Sequence, residues 1–183
     1  TLVGVVHADL SLNIPDFRSA ERSFQLLTQV AGRAGRGEVP GQVLIQTHEP
    51  SHYVFDYVQT HDFNNFYKKE IVSRKQLNYP PFTRMAALEI ESESETRGET
   101  AVEKIKTILM RMIGRNGDIE LLGPSCAALY RIKNKFRWHI LLRAKKSQTL
   151  QTLLNQFRDR QELKSPFMNK IKLSIDVDPV NLL

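Results

Sequence analysis

Two consecutive prolines, Pro80 and Pro81 in the segment NYPPF, place the strongest constraint on the fold of this chain. A proline has no backbone N–H and disfavours helical backbone in the residue before it, so neither a helix nor a central strand can run through this segment. The hydrophobic patterns also differ on its two sides. We therefore predict two domains, residues 1–78 and residues 79–183.

Before the prolines, the apolar patterns alternate between strands and helices. Short apolar runs at 2–6 and 43–46 are typical of buried parallel strands. A helical pattern begins near Ser19 between them, and aromatic-rich helical sequence at 51–77, with a break near Asp62, follows the second run. This order predicts an α/β unit with a parallel sheet.

After the prolines, the patterns follow the order β, α, β-hairpin, α, β. This order predicts a ferredoxin-like α+β domain. The predicted elements lie at 85–90, 102–113, 128–144 with a turn at Asn134, 150–157 and 171–177.

The composition fits a nucleic-acid-binding protein of a reducing compartment. The 183 residues carry a formal net charge of +6, which favours polyanionic partners, although a lysine-rich surface gives the same excess. The single cysteine, Cys126, excludes an internal disulfide, and no apolar run approaches the ~20 residues of a membrane span. The sequence begins at Thr1 with neither an initiator methionine nor a signal peptide, and we expect it to be part of a longer protein.

The stretch TQVAGRAGRG carries the clearest chemical motif. On a helix, Gln29, Arg33 and Arg36 share one face because they are spaced by four and three residues. Gly32 and Gly35 each lower helix stability by up to about 1 kcal/mol relative to alanine. Glycine at these positions is explained if a ligand approaches the backbone closely. One guanidinium group can donate two hydrogen bonds to the oxygens of a phosphate, so the motif predicts a phosphate site. A solvated arginine face at a glycine-capped helix end is the alternative.

The segment QVAGRAGRG resembles motif VI of superfamily 2 helicases, the arginine-bearing motif of the second RecA-like lobe. Its flank VGVVHADLSLNIPDF, the later segments YPPF, LLGPSCA and RWHILL, and the terminal IDVDPVNLL are similar to the primosomal protein N′ (PriA) family of bacterial replication restart helicases. The resemblance implies that residues 1–78 are the end of RecA-like lobe 2. It also implies that residues 79–183 are an α+β domain similar to a small-subunit ribosomal protein.

The same resemblance assigns roles to the residues of the motif. Gln29 is expected to order the nucleotide or the attacking water. Arg33 and Arg36 are expected to contact phosphate across the cleft between the two lobes, with Gly32 and Gly35 beside the nucleotide.

The segment 3–22 resembles motif V, which couples the nucleotide site to bound DNA in this family. Asp9 is the candidate nucleotide contact there, and Asn13 is the candidate DNA contact. Both residue types also cap loops and helices, so a purely local structural role is the alternative for each.

Two motifs needed for ATP hydrolysis are missing from the sequence: a Gly-x-x-x-x-Gly-Lys-Ser/Thr phosphate loop and an Asp-Glu metal motif. We therefore expect ATP and Mg²⁺ to be cofactors of the full-length enzyme, and this chain alone to be inactive. By resemblance, zinc is expected in an upstream segment. We expect no metal site within this chain, and treat His48 and His52 as surface loop because no other ligand accompanies them.

The predicted hairpin carries Arg131, Lys133, Lys135 and Arg137 close to Trp138. Cations beside an aromatic ring suit a surface that follows nucleic-acid phosphates. Strand alternation places Trp138 on the apolar face, so we expect its ring in the core and only the cations at DNA. An ordinary exposed turn is the alternative.

The segment RAKKSQTLQ offers a candidate partner site. Lys145 and Lys146 precede Ser147, which we expect to cap the next helix, and Gln151 lies one turn further on. The unpaired N–H groups of a helix start favour an anion. The resemblance implies that this anion is the acidic C-terminal tail of single-stranded DNA-binding protein, whereas a lysine-rich capping loop is the alternative.

As a whole, the resemblance implies the C-terminal fragment of an ATP-dependent 3′ to 5′ DNA helicase that recognises stalled or abandoned forks and initiates primosome assembly. The expected partners are forked and single-stranded DNA, the tail described above and other primosome proteins. We expect a monomer in the bacterial cytoplasm, associated with the nucleoid and not with a membrane. Two alternatives stay open: a non-catalytic nucleic-acid or protein interaction module, and part of a superfamily 2 RNA helicase.

Overall fold

The computed structural model describes residues 2–34, 41–114 and 117–182. The chain forms two compact units, residues 1–77 and residues 78–183. The division lies one residue from the predicted boundary, and the proline pair opens the second unit.

The first unit begins with a small parallel sheet. Strand β1 (Leu2–Val5) pairs in parallel with strand β2 (Gln42–Ile45). A short helix, α1 (Asp9–Leu12), and a long helix, α2 (Ser19–Ala34), lie between them along the chain. The predicted strand, helix and parallel strand are therefore present.

The prediction that these two strands are buried is wrong. Leu2 is 71% exposed and Leu44 is 68% exposed, whereas Val5 and Ile45 are half-buried and pack against the core. The reason is that α2 packs against the strands from one side, and alternate side chains along a strand face away from it.

Helices α3 (Tyr53–Gln59) and α4 (Phe63–Gln76) complete the first unit. The predicted break near Asp62 is confirmed. Its carboxylate accepts a hydrogen bond from the backbone N–H of Asn65 at 3.0 Å, which caps the start of α4. The buried core of the unit consists of Ala8, Phe24, Leu27, Val54, Phe55, Val58 and Phe66.

The second unit has the predicted order of elements. All neighbouring strands are antiparallel, in the order β4-β5-β3-β6, and the chain order βαββαβ is ferredoxin-like. Two short 3-10 turns precede the last strand. The elements are β3 (Arg84–Ser92), α5 (Glu95–Ile113), β4 (Ile119–Ile132), β5 (Lys135–Ala144), α6 (Ser147–Arg158) and β6 (Ile171–Val177).

Trp138 lies in the core of the second unit, as predicted. Its side chain is almost fully buried, and the Tyr130 ring meets it edge-on with centroids 5.5 Å apart. Helix α5 passes so close that a Cβ on Gly98 would overlap the indole ring. A glycine at this position therefore lets the helix approach the sheet.

The β4–β5 hairpin turns at the predicted position. Lys133 and Asn134 form the turn with φ angles of 49° and 62°, and Ile132 pairs with Lys135 on either side. Two residues with positive φ produce the tight turn whose twist matches that of the flanking strands. The turn presents Lys133 to solvent at the tip of the hairpin.

Candidate nucleotide and nucleic-acid sites

The outer face of α2 carries the residues of the arginine motif that the structure describes. Gln29, Gly32 and Arg33 are all exposed, and their spacing places them on one side of the helix. Nothing among the described residues lies within 4 Å of the position that a Cβ on Gly32 would take. Arg36 and Gly35 fall outside the described residues. The face therefore offers a ligand an amide, a cation and uncovered backbone.

The opposite side of α2 is fixed by aromatic packing. The ring of Phe24 stacks on that of Phe66 from α4, with centroids 4.2 Å apart and an interplanar angle of 8°. Leu27, one turn further along, is only 2% exposed. Because these side chains are held in the core, the rotation of the helix is set and Gln29 and Arg33 face outward.

The loop before α2 is held by a buried carboxylate. Asp16 accepts a hydrogen bond from the backbone N–H of Arg18 at 2.9 Å and pairs with the Arg22 guanidinium at 3.0 Å. Arg22 belongs to the first turns of α2. The contact therefore fixes the entry of the chain into the helix that carries the motif.

A second polar network joins α2 to the two helices beside it. The Arg74 guanidinium donates to Glu70 at 2.9 Å and to Glu21 of α2 at 2.7 Å, while the Tyr53 hydroxyl donates to Glu70 at 2.8 Å. Burial and the Glu70 carboxylate raise the pKa of Tyr53, so its hydroxyl stays a donor. This network was not predicted from the sequence, although the four-residue spacing of Glu70 and Arg74 could have indicated their ion pair.

The structure gives Asp9 a local role instead of an open nucleotide contact. One carboxylate oxygen accepts the Thr47 hydroxyl at 2.5 Å, and the other accepts the backbone N–H of His48 at 3.0 Å. The hydrogen bond from Thr47 lowers the pKa of Asp9, and the one from His48 lowers it further by a smaller amount. Asp9 therefore links the start of α1 to the loop that follows β2. Asn13, at the end of α1, is exposed and remains a candidate DNA contact.

Two predicted DNA contacts lie exposed at the tip of the β4–β5 hairpin. Arg131 donates to the Asn134 side chain at 3.1 Å, and its guanidinium carbon lies 5.0 Å from the Phe136 ring centroid. Lys133 occupies the turn itself. Neither cation forms an ion pair within the part of the chain that the structure describes, so both charges are available to a polyanion.

The other two predicted hairpin contacts are paired with carboxylates of β3. Arg137 is only 9% exposed, and its Nε donates to Glu89 at 3.0 Å. This bond lowers the pKa of Glu89. Lys135 lies 3.8 Å from the Glu91 carboxylate. The expectation that Arg137 is an exposed DNA contact is corrected, because the sheet register places an acidic strand beside it.

Helix α6 begins differently from the prediction. Lys146 has extended backbone, with φ −111° and ψ 129°, and is the cap residue, while Ser147 is the first helical residue. The prediction that Ser147 caps the helix is therefore wrong, because the chain enters helical geometry immediately after Lys146. Both residues, together with Lys145 and Gln151, are exposed.

A groove of about 440 Å³ lies beside α6. Its lining combines an apolar surface with amides and one arginine, a combination that accommodates a short amphipathic segment. The lining residues are Gln151, Leu154, Asn155, Arg158, Leu163, Leu173, Ile175 and Val177.

Histidine and carboxylate side chains elsewhere have structural roles. The His52 ring accepts a hydrogen bond from the backbone N–H of Val54 at 3.3 Å and so caps α3. Among the described residues, no group of three or more histidine, cysteine or acidic side chains is arranged to hold a metal ion. No helix in the described ranges is both long enough and apolar enough to cross a membrane.

Comparison with known proteins identifies the family. The family model of the primosomal protein N C-terminal domain matches residues 75–180, more than half of the chain. The chain belongs to this family. The replication restart protein PriA of Bacillus subtilis is 40% identical over 185 residues, which cover 100% of this chain and 22% of that protein. PriA of Synechocystis is 41% identical over 182 residues, covering 100% of this chain and 21% of the relative.

The chain spans about a fifth of the length of these curated PriA relatives and corresponds to their C-terminal portion. Similarity to solved structures is weak: the de novo designed protein Foldit4 covers 53% of this chain and 97% of its own, at 11% identity and a TM-score of 0.40. The sequence comparison alone therefore carries the family assignment, and it confirms the resemblance to PriA.

Proposed function

We propose that this chain is the C-terminal part of an ATP-dependent 3′ to 5′ DNA helicase that recognises stalled or abandoned replication forks and initiates primosome assembly. In this proposal the first unit is the end of a RecA-like lobe 2, and the second unit binds DNA and partner proteins. The protein acts as a monomer on chromosomal DNA in the bacterial cytoplasm. The outer face of α2 carries the proposal, because Gln29 and Arg33 project beside Gly32 without a packing role.

The chemistry of this face suits a nucleoside triphosphate. A guanidinium fork binds phosphate oxygens with two hydrogen bonds and stabilises the charge that develops on the transferring γ-phosphoryl group. Arg33 fills this role, and Arg36, three residues further on, acts with it. Gln29 carries an amide that orders the nucleotide or the attacking water.

The proposed cofactors of the full-length protein are ATP and Mg²⁺, with zinc held by an upstream segment. The phosphate loop and the metal-binding acidic motif are absent from these 183 residues, so the remaining contacts to ATP and Mg²⁺ come from other parts of the protein. Accordingly, we expect the chain by itself to hydrolyse no ATP.

The test is DNA-stimulated ATP hydrolysis by the full-length protein carrying Arg33→Ala. We expect kcat to fall about 1,000-fold, the usual scale for an arginine that stabilises the transferring phosphoryl group, while DNA affinity stays near that of the wild type. Gln29→Ala should also lower kcat. Gln25→Ala is its matched control, because Gln25 is exposed one turn earlier on the same helix.

Each alternative function gives a different result in this assay. Wild-type turnover in Arg33→Ala would reject the catalytic role and favour a non-catalytic interaction module. Stronger stimulation by RNA than by DNA would favour a superfamily 2 RNA helicase.

We also propose that the start of α6 binds the acidic C-terminal tail of single-stranded DNA-binding protein. Lys145 and Lys146 are exposed just before the first helical turn, and the side chain of the cap residue Lys146 makes no capping hydrogen bond to the N–H groups there. An anion is favoured at such a helix start. Gln151, one turn further on, borders the groove beside α6, which supplies apolar surface for the rest of the tail.

A synthetic tail peptide titrated against the full-length protein tests this site. Lys145→Glu with Lys146→Glu should weaken binding by about 1 to 2 kcal/mol, the scale of charge-assisted hydrogen bonds. Lys164→Glu with Lys170→Glu, at two other exposed lysines of the same unit, is the control for the change in net charge. Unchanged peptide affinity, with an intact fold by circular dichroism, would place the tail elsewhere.

A further inference from the structure

Two aromatic rings on the outer side of α4 lie outside the buried core of the first unit. Phe63 is 58% exposed and Tyr67 is 53% exposed, and their ring centroids lie 6.4 Å apart, one helical turn from each other. The Phe63 ring also contacts the ring of Phe24 in the core, with centroids 6.2 Å apart. The aromatic pair is therefore exposed to solvent, while the contact with Phe24 holds Phe63 in position.

The charge on the flank of α4 next to Tyr67 is positive and uncompensated. Helical spacing places Lys68 and Lys75 on this flank, whereas Lys69, two residues from Tyr67, lies on the other side of the helix. Lys68 and Lys75 are exposed, and neither forms an ion pair among the described residues. The Lys68 ammonium group donates to a neutral partner, the side-chain oxygen of Asn65, at 3.4 Å. Two ammonium groups beside the rings are therefore available to phosphates.

The two carboxylates nearest to these lysines along the chain are already engaged. Glu70, the one acidic residue within α4, is 8% exposed and accepts hydrogen bonds from Arg74 and Tyr53. Asp62 accepts from the backbone N–H and the side-chain amide of Asn65. The acidic groups of the helix therefore stabilise the fold, while its lysines face solvent.

We propose that this surface, the α4 platform (Phe63, Tyr67, Lys68 and Lys75), binds single-stranded nucleic acid. Bases stack on the two rings, and the lysines contact the phosphates that follow. Exposed aromatic faces combined with free cations are the elements of sequence-tolerant single-strand binding. A duplex hides its base faces, and an acidic peptide would use the lysines while gaining little from the aromatic pair.

The platform rests on the proposed function only for the choice of DNA as the nucleic acid. It shares no residue with the arginine motif, whose proposed ligand is a nucleotide, or with the β4–β5 hairpin. Its residues have no proposed part in ATP hydrolysis. The two proposals can therefore fail independently.

Fluorescence anisotropy of a labelled oligothymidylate, titrated with the full-length protein at several salt concentrations, tests the platform. Tyr67→Ala should weaken binding about 5- to 150-fold, the range for losing one base stack. Tyr67→Phe keeps the ring and should retain wild-type affinity. Val72→Ala is the matched control, because Val72 is a similarly exposed apolar residue of α4, at 52%, without an aromatic face.

The lysines are tested through the salt dependence. Alanine at Lys68 and Lys75 together should reduce the slope of log K against log salt by about 0.7 for each phosphate that the variant no longer neutralises. Lys164→Ala should leave the slope unchanged. Arg33→Ala should retain oligothymidylate binding, so loss of turnover there does not count for or against the platform.

Two results would overturn the proposal. One is an unchanged affinity in Tyr67→Ala together with an unchanged salt slope in the double lysine variant, with circular dichroism matching the wild type. The other is a lower melting temperature for Tyr67→Ala with unchanged oligothymidylate affinity, which would mean that another part of the full-length protein covers the rings.

Discussion

Cations on α2 and on β5 meet different surroundings in the fold. On α2, Arg33 is exposed and forms no ion pair among the described residues. On β5, Arg137 is 9% exposed and bonded to Glu89, while Lys135 lies 3.8 Å from Glu91. Arg33 therefore presents an uncompensated charge, whereas the charges of Arg137 and Lys135 are largely neutralised.

This difference in charge pairing arises because side chains of a helix and of a strand meet their partners at different distances along the sequence. Side chains on a helix meet those three and four residues away, so a local stretch of sequence shows most of the partners of Arg33. A strand meets its partners across the sheet, and Glu89 is 48 residues from Arg137 along the chain. A cluster of cations in sequence therefore overestimates the charge that a strand offers to DNA.

The largest expected effect is on stability, when the buried cation of β5, Arg137, is removed. Arg137→Ala leaves the half-buried Glu89 carboxylate without the hydrogen bond from Arg137, and we expect the free energy of unfolding to fall by about 2 kcal/mol. DNA affinity should stay near that of the wild type. Urea unfolding and DNA titration of the full-length protein measure the two quantities.

Glu89→Gln combined with Arg137→Ala is the control. The double variant should lose less stability than the sum of the two single variants, because their interaction is counted twice in that sum. A loss of DNA affinity in Arg137→Ala without a loss of stability would contradict the structural role.

The exposed tip of the hairpin should behave in the opposite way. Replacing Arg131 and Lys133 with alanine should weaken binding to duplex DNA and reduce the salt slope by about 0.9 for each phosphate that is no longer neutralised. The free energy of unfolding should hardly change, and neither should sequence preference. An unaltered slope in filter binding would place the DNA on another surface.

The smallest expected effect is a pH dependence of the same sheet face. Hydrogen bonding to Arg137 lowers the pKa of Glu89, and burial lowers the pKa of His139 beside it. Both groups bind fewer protons in the folded state than in the unfolded state, so stability falls as the pH is lowered. The first decline should begin near pH 6.5, the ordinary pKa of histidine, and the second near pH 4.5, that of glutamate.

Urea midpoints measured between pH 8 and pH 4 test this dependence. His139→Gln should remove the upper decline and leave the lower one. A decline near pH 6.5 that persists in this variant would show that another group causes it.

The second unit was more predictable from sequence than the first. The paired prolines, the helical periods and the clean alternation of 171–177 indicated the observed order of elements. Alternation also placed Trp138 in the core, because its apolar neighbours on β5 recur every second residue. Local pattern suffices where each element buries one face against the same core.

Partners and caps set by tertiary structure were not predictable. The exposure of Leu2 and Leu44 depends on what covers each face of a sheet, which an apolar run does not state. The hydrogen bond from Thr47 to Asp9 joins the start of α1 to a loop 38 residues away in sequence. At Ser147, a residue type favoured at helix caps occupies the first helical position, so the error is one of helix boundary.

The most direct test of the account measures catalysis and DNA binding in one pair of full-length variants. Arg33→Ala should lower kcat about 1,000-fold at saturating DNA and leave DNA affinity unchanged. The double variant Arg131→Ala, Lys133→Ala should weaken DNA binding and keep wild-type kcat at saturating DNA. If both variants lose DNA affinity in parallel and Arg33→Ala keeps its turnover, the division between a nucleotide-facing helix and a DNA-facing hairpin is contradicted.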